Sequence, residues 1–122
     1  LQIGCARSVL LNPAVFPARD LLKYVGEQTS WHDPAAHFEF QAGYVDELRA
    51  MEVDLQRLAP QHPATPQRQF SIVARGDEVL DWREMVNFCA SGQTTVLPGS
   101  DHAISDFDAH IDALFEFLHL TP

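Results

Sequence analysis

The sequence predicts an α/β fold, a three-layer α/β/α arrangement in which a short parallel sheet of about three strands is flanked by helices. Three observations lead there. Three short apolar runs each stop at a chain breaker. Stripes of helical period lie between and after them. The resulting alternation of strand and helix requires right-handed crossovers, and therefore parallel strands.

The first strand, Ser8-Val9-Leu10-Leu11, stops at Asn12-Pro13 and is continuously apolar at its centre, as a strand covered on both faces should be. The second, residues 70–74, stops at Arg75-Gly76. The third, residues 94–97, stops at Pro98-Gly99. Residues 19–25 read as a short helix closed by Gly26. Tyr44, Leu48 and Met51 mark a second helix by their i, i+4, i+7 spacing. Trp82, Met85, Val86 and Cys89 mark a third, with Asp81-x-x-Glu84 as the capping pair at its start. Phe107, Ile111, Leu114, Phe115 and Leu118 form the stripe of a fourth, capped by Ser105-x-x-Asp108. Between the first two strands runs a long cap-like excursion, residues 27–68, aromatic early and proline-rich late. Three parallel strands make a narrow sheet, and parallel sheets are normally covered on both faces, so this one reads as part of a larger sheet.

The 122 residues fit a single domain over 1–122, and 46% hydrophobic with 20% charged residues is a globular composition. The net charge is −9, and every Lys and Arg lies at or before Arg83. Such a surface repels phosphate backbones and anionic lipid, so neither nucleic acid nor membrane is an expected partner. Cys5 and Cys89 are too few and too far apart for a disulfide framework and read as reduced thiols in or near the core. The first residue is Leu, and no basic stretch precedes an apolar signal core. The expectation is a soluble cytoplasmic protein whose N-terminal part is missing from these residues.

In open α/β sheets, function gathers beyond the C-terminal ends of the strands. Two loops qualify: Arg75-Gly76-Asp77-Glu78-Val79-Leu80-Asp81 and Pro98-Gly99-Ser100-Asp101-His102. If the second and third strands are neighbours, Asp77 and His102 rise side by side. A carboxylate that orients an imidazole holds its tautomer and stabilises the imidazolium formed when the base takes a proton. Ordinary roles compete. Asp77 also suits a turn after Gly76, His102 suits an unremarkable place in a glycine-containing loop, and Asp81 has a ready job as helix N-cap. The joint placement of Asp77 and His102 on consecutive strand ends favours the functional reading.

Four blocks carry a family resemblance. They are Val9-Leu10-Leu11-Asn12-Pro13-Ala14-Val15, Leu21-Leu22-Lys23-Tyr24-Val25-Gly26-Glu27, Gly76-Asp77-Glu78-Val79-Leu80-Asp81-Trp82-Arg83 and Gly99-Ser100-Asp101-His102. In this order and spacing they resemble the YqiA-like esterases of the α/β-hydrolase superfamily, over the C-terminal portion of such a protein. The resemblance implies hydrolysis of a small-molecule ester or thioester through an acyl-enzyme, without cofactor. It makes Asp77 the triad acid and His102 the general base. Relatives of this kind also carry an N-terminal strand with a His-Gly loop and a Gly-x-Ser-x-Gly elbow, and neither occurs here. Ser8, Ser30, Ser71, Ser91, Ser100 and Ser105 all lack the flanking glycines of the strained strand-to-helix turn. The 122 residues alone are therefore expected to be inactive, and the first strand is expected to present an open edge that drives homo-oligomer formation.

Other groups offer weaker readings. His32-Asp33-Pro34-Ala35-Ala36-His37 offers two imidazoles and a carboxylate, but Pro34 breaks the alignment and no further ligand spacing follows, so no metal is expected. His110 and His119 read as surface positions on the last helix. Trp31, Phe38, Phe40 and Tyr44 read either as packing for the excursion or as the roof of an acyl pocket. Two functions compete: a carboxylic ester hydrolase of the α/β-hydrolase type that lacks its serine nucleophile within this chain, and a non-catalytic α/β module that binds a partner or ligand.

Overall fold

The computed structural model describes residues 5–30, 32–58 and 65–120, with backbone alone over 54–58. The chain divides into two compact units, one of Leu1–Val15 with Leu58–Pro122 and one of Phe16–Arg57.

The first unit is built on a parallel sheet of three strands in the order β1-β4-β5. Its members are β1 (Ser8–Leu11), β4 (Gln69–Ala74) and β5 (Gln93–Leu97). Ser8 pairs with Gln69 and Leu11 with Ile72, while Ile72 also pairs with Thr95 and Ala74 with Leu97. Every residue of β4 is buried, as expected for a central parallel strand with both faces covered. Strand alternation divides its side chains between two faces. Phe70 and Ile72 join Leu97, Ile104 and Leu114 in one cluster, onto which Val9, Phe107 and Phe117 pack. Ser71 lies on the other face, where it meets Cys89 at the end of helix α3 (Trp82–Phe88). Helix α4 (Ile111–Leu118), which carries Leu114 and Phe117, therefore covers one face and α3 the other. These are the α/β layers the sequence predicts, with strand limits that match to within a residue.

Two helices differ in detail from expectation. The capping serine is the first correction. Ser105 caps nothing, because its N–H and hydroxyl both donate to the Asp101 carboxylate, at 2.9 and 2.6 Å. The segment instead opens as a 3-10 turn, Phe107–Ala109, and α4 begins only at Ile111. That break shifts the apolar stripe. Phe115 is 40% exposed, whereas Phe117 stacks near Phe70 with ring centroids 5.6 Å apart. At the start of α3 the Asp81 half of the expected capping pair is present, and its side chain accepts from the Arg83 N–H at 2.9 Å.

The second unit opens with helix α1 (Pro17–Leu21), whose proline stands in the first turn, where a missing N–H costs nothing. It continues as a 3-10 turn, Leu22–Tyr24. Expected as the stop of a helix over residues 19–25, Gly26 instead takes φ +117° and begins a strand, because Val25 before it is already extended. Strands β2 (Gly26–Thr29) and β3 (His37–Phe40) form an antiparallel hairpin that pairs Glu27 with Glu39 and Thr29 with His37. Asp33 shapes the connection by accepting from the Ala35 N–H at 3.0 Å. Helix α2 (Ala42–Leu58) follows and buries Val45. The Tyr44 ring meets Phe40 edge-on at 5.5 Å. Among the described residues, no helix is long and apolar enough to cross a membrane.

Candidate functional site

Beyond the C-terminal ends of β4 and β5, the loop of residues 75–81 faces the loop of residues 98–106. Their backbones come close at Gly76, where a Cβ would run into the Ser100 carbonyl oxygen. Glycine is needed here for this approach, because any side chain would separate the loops.

Asp77 follows directly, with its side chain fully shielded from solvent. One carboxylate oxygen, Oδ1, accepts from the N–H groups of Val79 and Leu80, each at 2.8 Å. This local turn fixes the side chain and leaves Oδ2 pointing across the gap. There it meets Nδ1 of His102 at 2.9 Å. A carboxylate only accepts, so Nδ1 carries the proton, and in the neutral ring Nε2 then keeps its lone pair. Among the described residues, no side chain bonds to Nε2, and the His102 side chain is 42% exposed. The turn reading and the paired reading of Asp77 thus coexist: one oxygen makes the turn and the other holds the imidazole.

Two further residues lock the His102 backbone; both lie in the resemblance blocks, but residue order alone assigns a role to neither. The Glu78 carboxylate accepts from the His102 N–H at 3.1 Å. Asn12, just past the end of β1, is 6% exposed and left-handed at φ 39°. Its Oδ1 accepts from the Ala74 N–H at 2.8 Å, and its Nδ2 donates to the carbonyls of Asp101 and His102, at 3.0 and 2.9 Å. In the sequence Asn12 reads as the polar half of the Asn12-Pro13 breaker and as part of the first resemblance block, with no role of its own. The available signal was an asparagine directly after an apolar strand run, since Asn tolerates left-handed backbone better than most residues.

The rest of the His102 loop is acidic and internally bonded. Ser100 donates its hydroxyl to Asp106, which also meets His110 Nε2 at 3.3 Å. Hydrogen bonds from the Ser105 hydroxyl and then its backbone hold Asp101 below the usual carboxylate range. Asp106 is lowered likewise, first by the Ser100 hydroxyl and then by His110. The hydroxyl of Ser100 is therefore turned toward a carboxylate. Cys89 is buried, and burial pushes its thiol up despite the nearby Ser71 hydroxyl. An un-ionised buried thiol is a poor nucleophile.

The remaining candidates lie elsewhere. His37 stands on β3 with Nδ1 3.5 Å from Glu27 Oε1, both side chains exposed. His119 ends α4 in left-handed backbone. His32 is exposed, Phe38 is 53% exposed, and Trp31 lies outside the described residues. No group of three or more His, Cys, Asp or Glu side chains among the described residues is arranged to hold a metal ion.

Fold and site together define an α/β protein with an imidazole–carboxylate pair at the C-terminal end of its parallel sheet. The model of an uncharacterised protein family (UPF0227) matches residues 2–119, and the chain belongs to that family.

Proposed function

We propose that this chain carries the acid and the base of a cytoplasmic carboxylic ester hydrolase of the α/β-hydrolase type, of the YqiA-like kind that its sequence blocks resemble. One observation carries the reading: buried Asp77 holds His102 Nδ1 at 2.9 Å while Nε2 stays unbonded among the described residues. In the reaction, His102 Nε2 takes the proton of a serine hydroxyl as that oxygen attacks the ester carbonyl. Asp77 stabilises the imidazolium. The same proton then passes to the departing alcohol or thiol, and water, deprotonated by His102, releases the acid.

The serine comes from outside these residues, since no Gly-x-Ser-x-Gly occurs among them. The strand order supports this reading. Strand β1 pairs only with β4 among the described residues, so its other edge is open. A strand that leads into the nucleophile fits there, and in its absence the edge supports association with a second copy of this chain.

The test is hydrolysis of p-nitrophenyl acetate by the gene product that contains these residues. Turnover that a serine-directed fluorophosphonate blocks, and that His102→Gln abolishes, is the expected result. The 122 residues alone should show none. Fluorophosphonate-sensitive turnover by these residues alone, or full turnover in the His102→Gln protein, refutes the assignment.

A further inference from the structure

Asn12 joins three segments that are distant in sequence. Its own backbone ends β1, where its N–H donates to Ile72 O at 3.0 Å. Its Oδ1 binds the last residue of β4, and its Nδ2 spans two successive carbonyls of the β5 loop. The carboxamide thus makes one accepted and two donated bonds in a site almost closed to water. Buried amides so fully bonded rigidify what they touch. What Asn12 touches is the backbone of His102 itself, whereas Asp77 holds its imidazole.

We propose that Asn12 is a positioning residue for the His102 imidazole, an inference that rests on the acid–base reading above. Asp77 sets the ring from the side chain, but an imidazole can only be aimed if its Cα is also held. Two backbone groups of His102 are anchored, the N–H by Glu78 and the carbonyl by Asn12. Glu78 is exposed, whereas Asn12 is buried and is tied to Ala74 at the end of the central strand. Asn12 therefore references the base to the core of the sheet, and Glu78 references it to the neighbouring loop. No other residue type meets all three demands. Aspartate lacks the donor, the side chain of Gln is a carbon longer, and Ser offers a single hydroxyl in place of a donor and an acceptor set apart.

Asn12→Asp makes the sharpest test, because it keeps the shape and the acceptor for Ala74 N–H while it turns an oxygen toward two carbonyls. The readouts are the Nδ1–H proton resonance of His102, its tautomer by nitrogen-15 shifts, and solvent exchange of the Asn12 side-chain protons. In the wild-type chain the carboxamide protons should exchange about tenfold more slowly than a free amide. Asn12→Asp should broaden away the His102 Nδ1–H signal while the amide resonances of β4 and β5 stay in place. An unchanged His102 signal in the Asn12→Asp chain overturns the inference, and so does fast exchange of the wild-type carboxamide protons. The exchange readout needs no variant, so it can overturn the inference even if Asn12→Asp does not fold. Failure of the proposed function looks different: an intact protein that hydrolyses no ester, with the His102 signal present and still dependent on Asn12, removes the chemistry and leaves the positioning role.

Discussion

On the β2–β3 hairpin, His37 Nδ1 sits 3.5 Å from Glu27 Oε1, with the two side chains 52% and 78% exposed. At the ends of β4 and β5, His102 Nδ1 sits 2.9 Å from Asp77 Oδ2, with the Asp77 side chain wholly buried. The residue types are nearly the same, and the difference lies in what surrounds them. Glu27 faces Glu39 across the hairpin, a like charge, and both lie in water, where charge pairs are worth little. Asp77 is fastened by two backbone N–H groups before it reaches the imidazole, and His102 is fastened by Glu78 and Asn12. The hairpin pair is two flexible side chains in loose contact. The loop pair is an oriented imidazole, because its entropy cost was met by bonds that fix each partner separately.

This comparison can be broken most strongly at Asp77. On the proposed hydrolase reading, Asp77→Asn keeps the turn, since the amide oxygen can still accept from Val79 and Leu80. It removes the charge that stabilises the imidazolium. Replacement of a triad carboxylate by an amide lowers kcat roughly 10⁴-fold, and that is the expected loss in ester hydrolysis. The control is Asp81→Ala, which removes the α3 cap and should cost about 1 kcal/mol in urea unfolding with turnover retained. A large turnover loss in Asp81→Ala with little in Asp77→Asn would exchange their roles.

Gly76 tests the approach of the two loops. Gly76→Ala places a methyl group against the Ser100 backbone carbonyl, which cannot turn aside as a side chain can. The expected cost is about 1–3 kcal/mol by chemical denaturation, with loss of the His102 Nδ1–H signal. A Gly76→Ala chain that keeps both its stability and that signal would show that the loops have room to spare.

Acid should act on the His102 loop through Asp101 and Asp106. Both are held below the ordinary Asp range in the folded chain, chiefly by the hydroxyls of Ser105 and Ser100 respectively. Folding thus favours their ionised forms, and the stabilisation is complete above the unfolded value of about 3.9. It is lost as pH falls through their lower folded values. Amide exchange in residues 98–106 should therefore stay flat from neutrality down to about pH 5, after correction for intrinsic rates, and open only in stronger acid. Opening centred between pH 6 and 7 would point to histidine titration instead.

The smallest effect belongs to the hairpin. His37→Gln should change stability by less than about 0.5 kcal/mol in urea unfolding, because both partners are solvated. A larger loss would mean that the hairpin pair is held as firmly as the loop pair.

Much of this was legible in the order of residues. Breakers at Asn12-Pro13, Arg75-Gly76 and Pro98-Gly99 located the strand ends, because a chain must turn where glycine or proline interrupts an apolar run. Period and chain order then placed Asp77 and His102 on consecutive strand ends. These signals are local, and short apolar runs between breakers express them directly. The hairpin was not legible. Its strands are short and half exposed, so they carry little hydrophobic alternation to read. The α4 cap failed for a related reason. Ser105 has the right identity, but Asp101, four residues earlier, competes for the same groups.

Tertiary structure alone decided which polar groups meet. That β4 lies between β1 and β5 brings Asn12 against carbonyls 89 and 90 positions away. That the loops touch at Gly76 gives Asp77 its reach. The sequence could point to Asp77 and His102 as a pair, since residue type and strand end are local properties. It could not show what holds them, because a hydrogen bond across the sheet depends on strand order and register, which no single segment encodes.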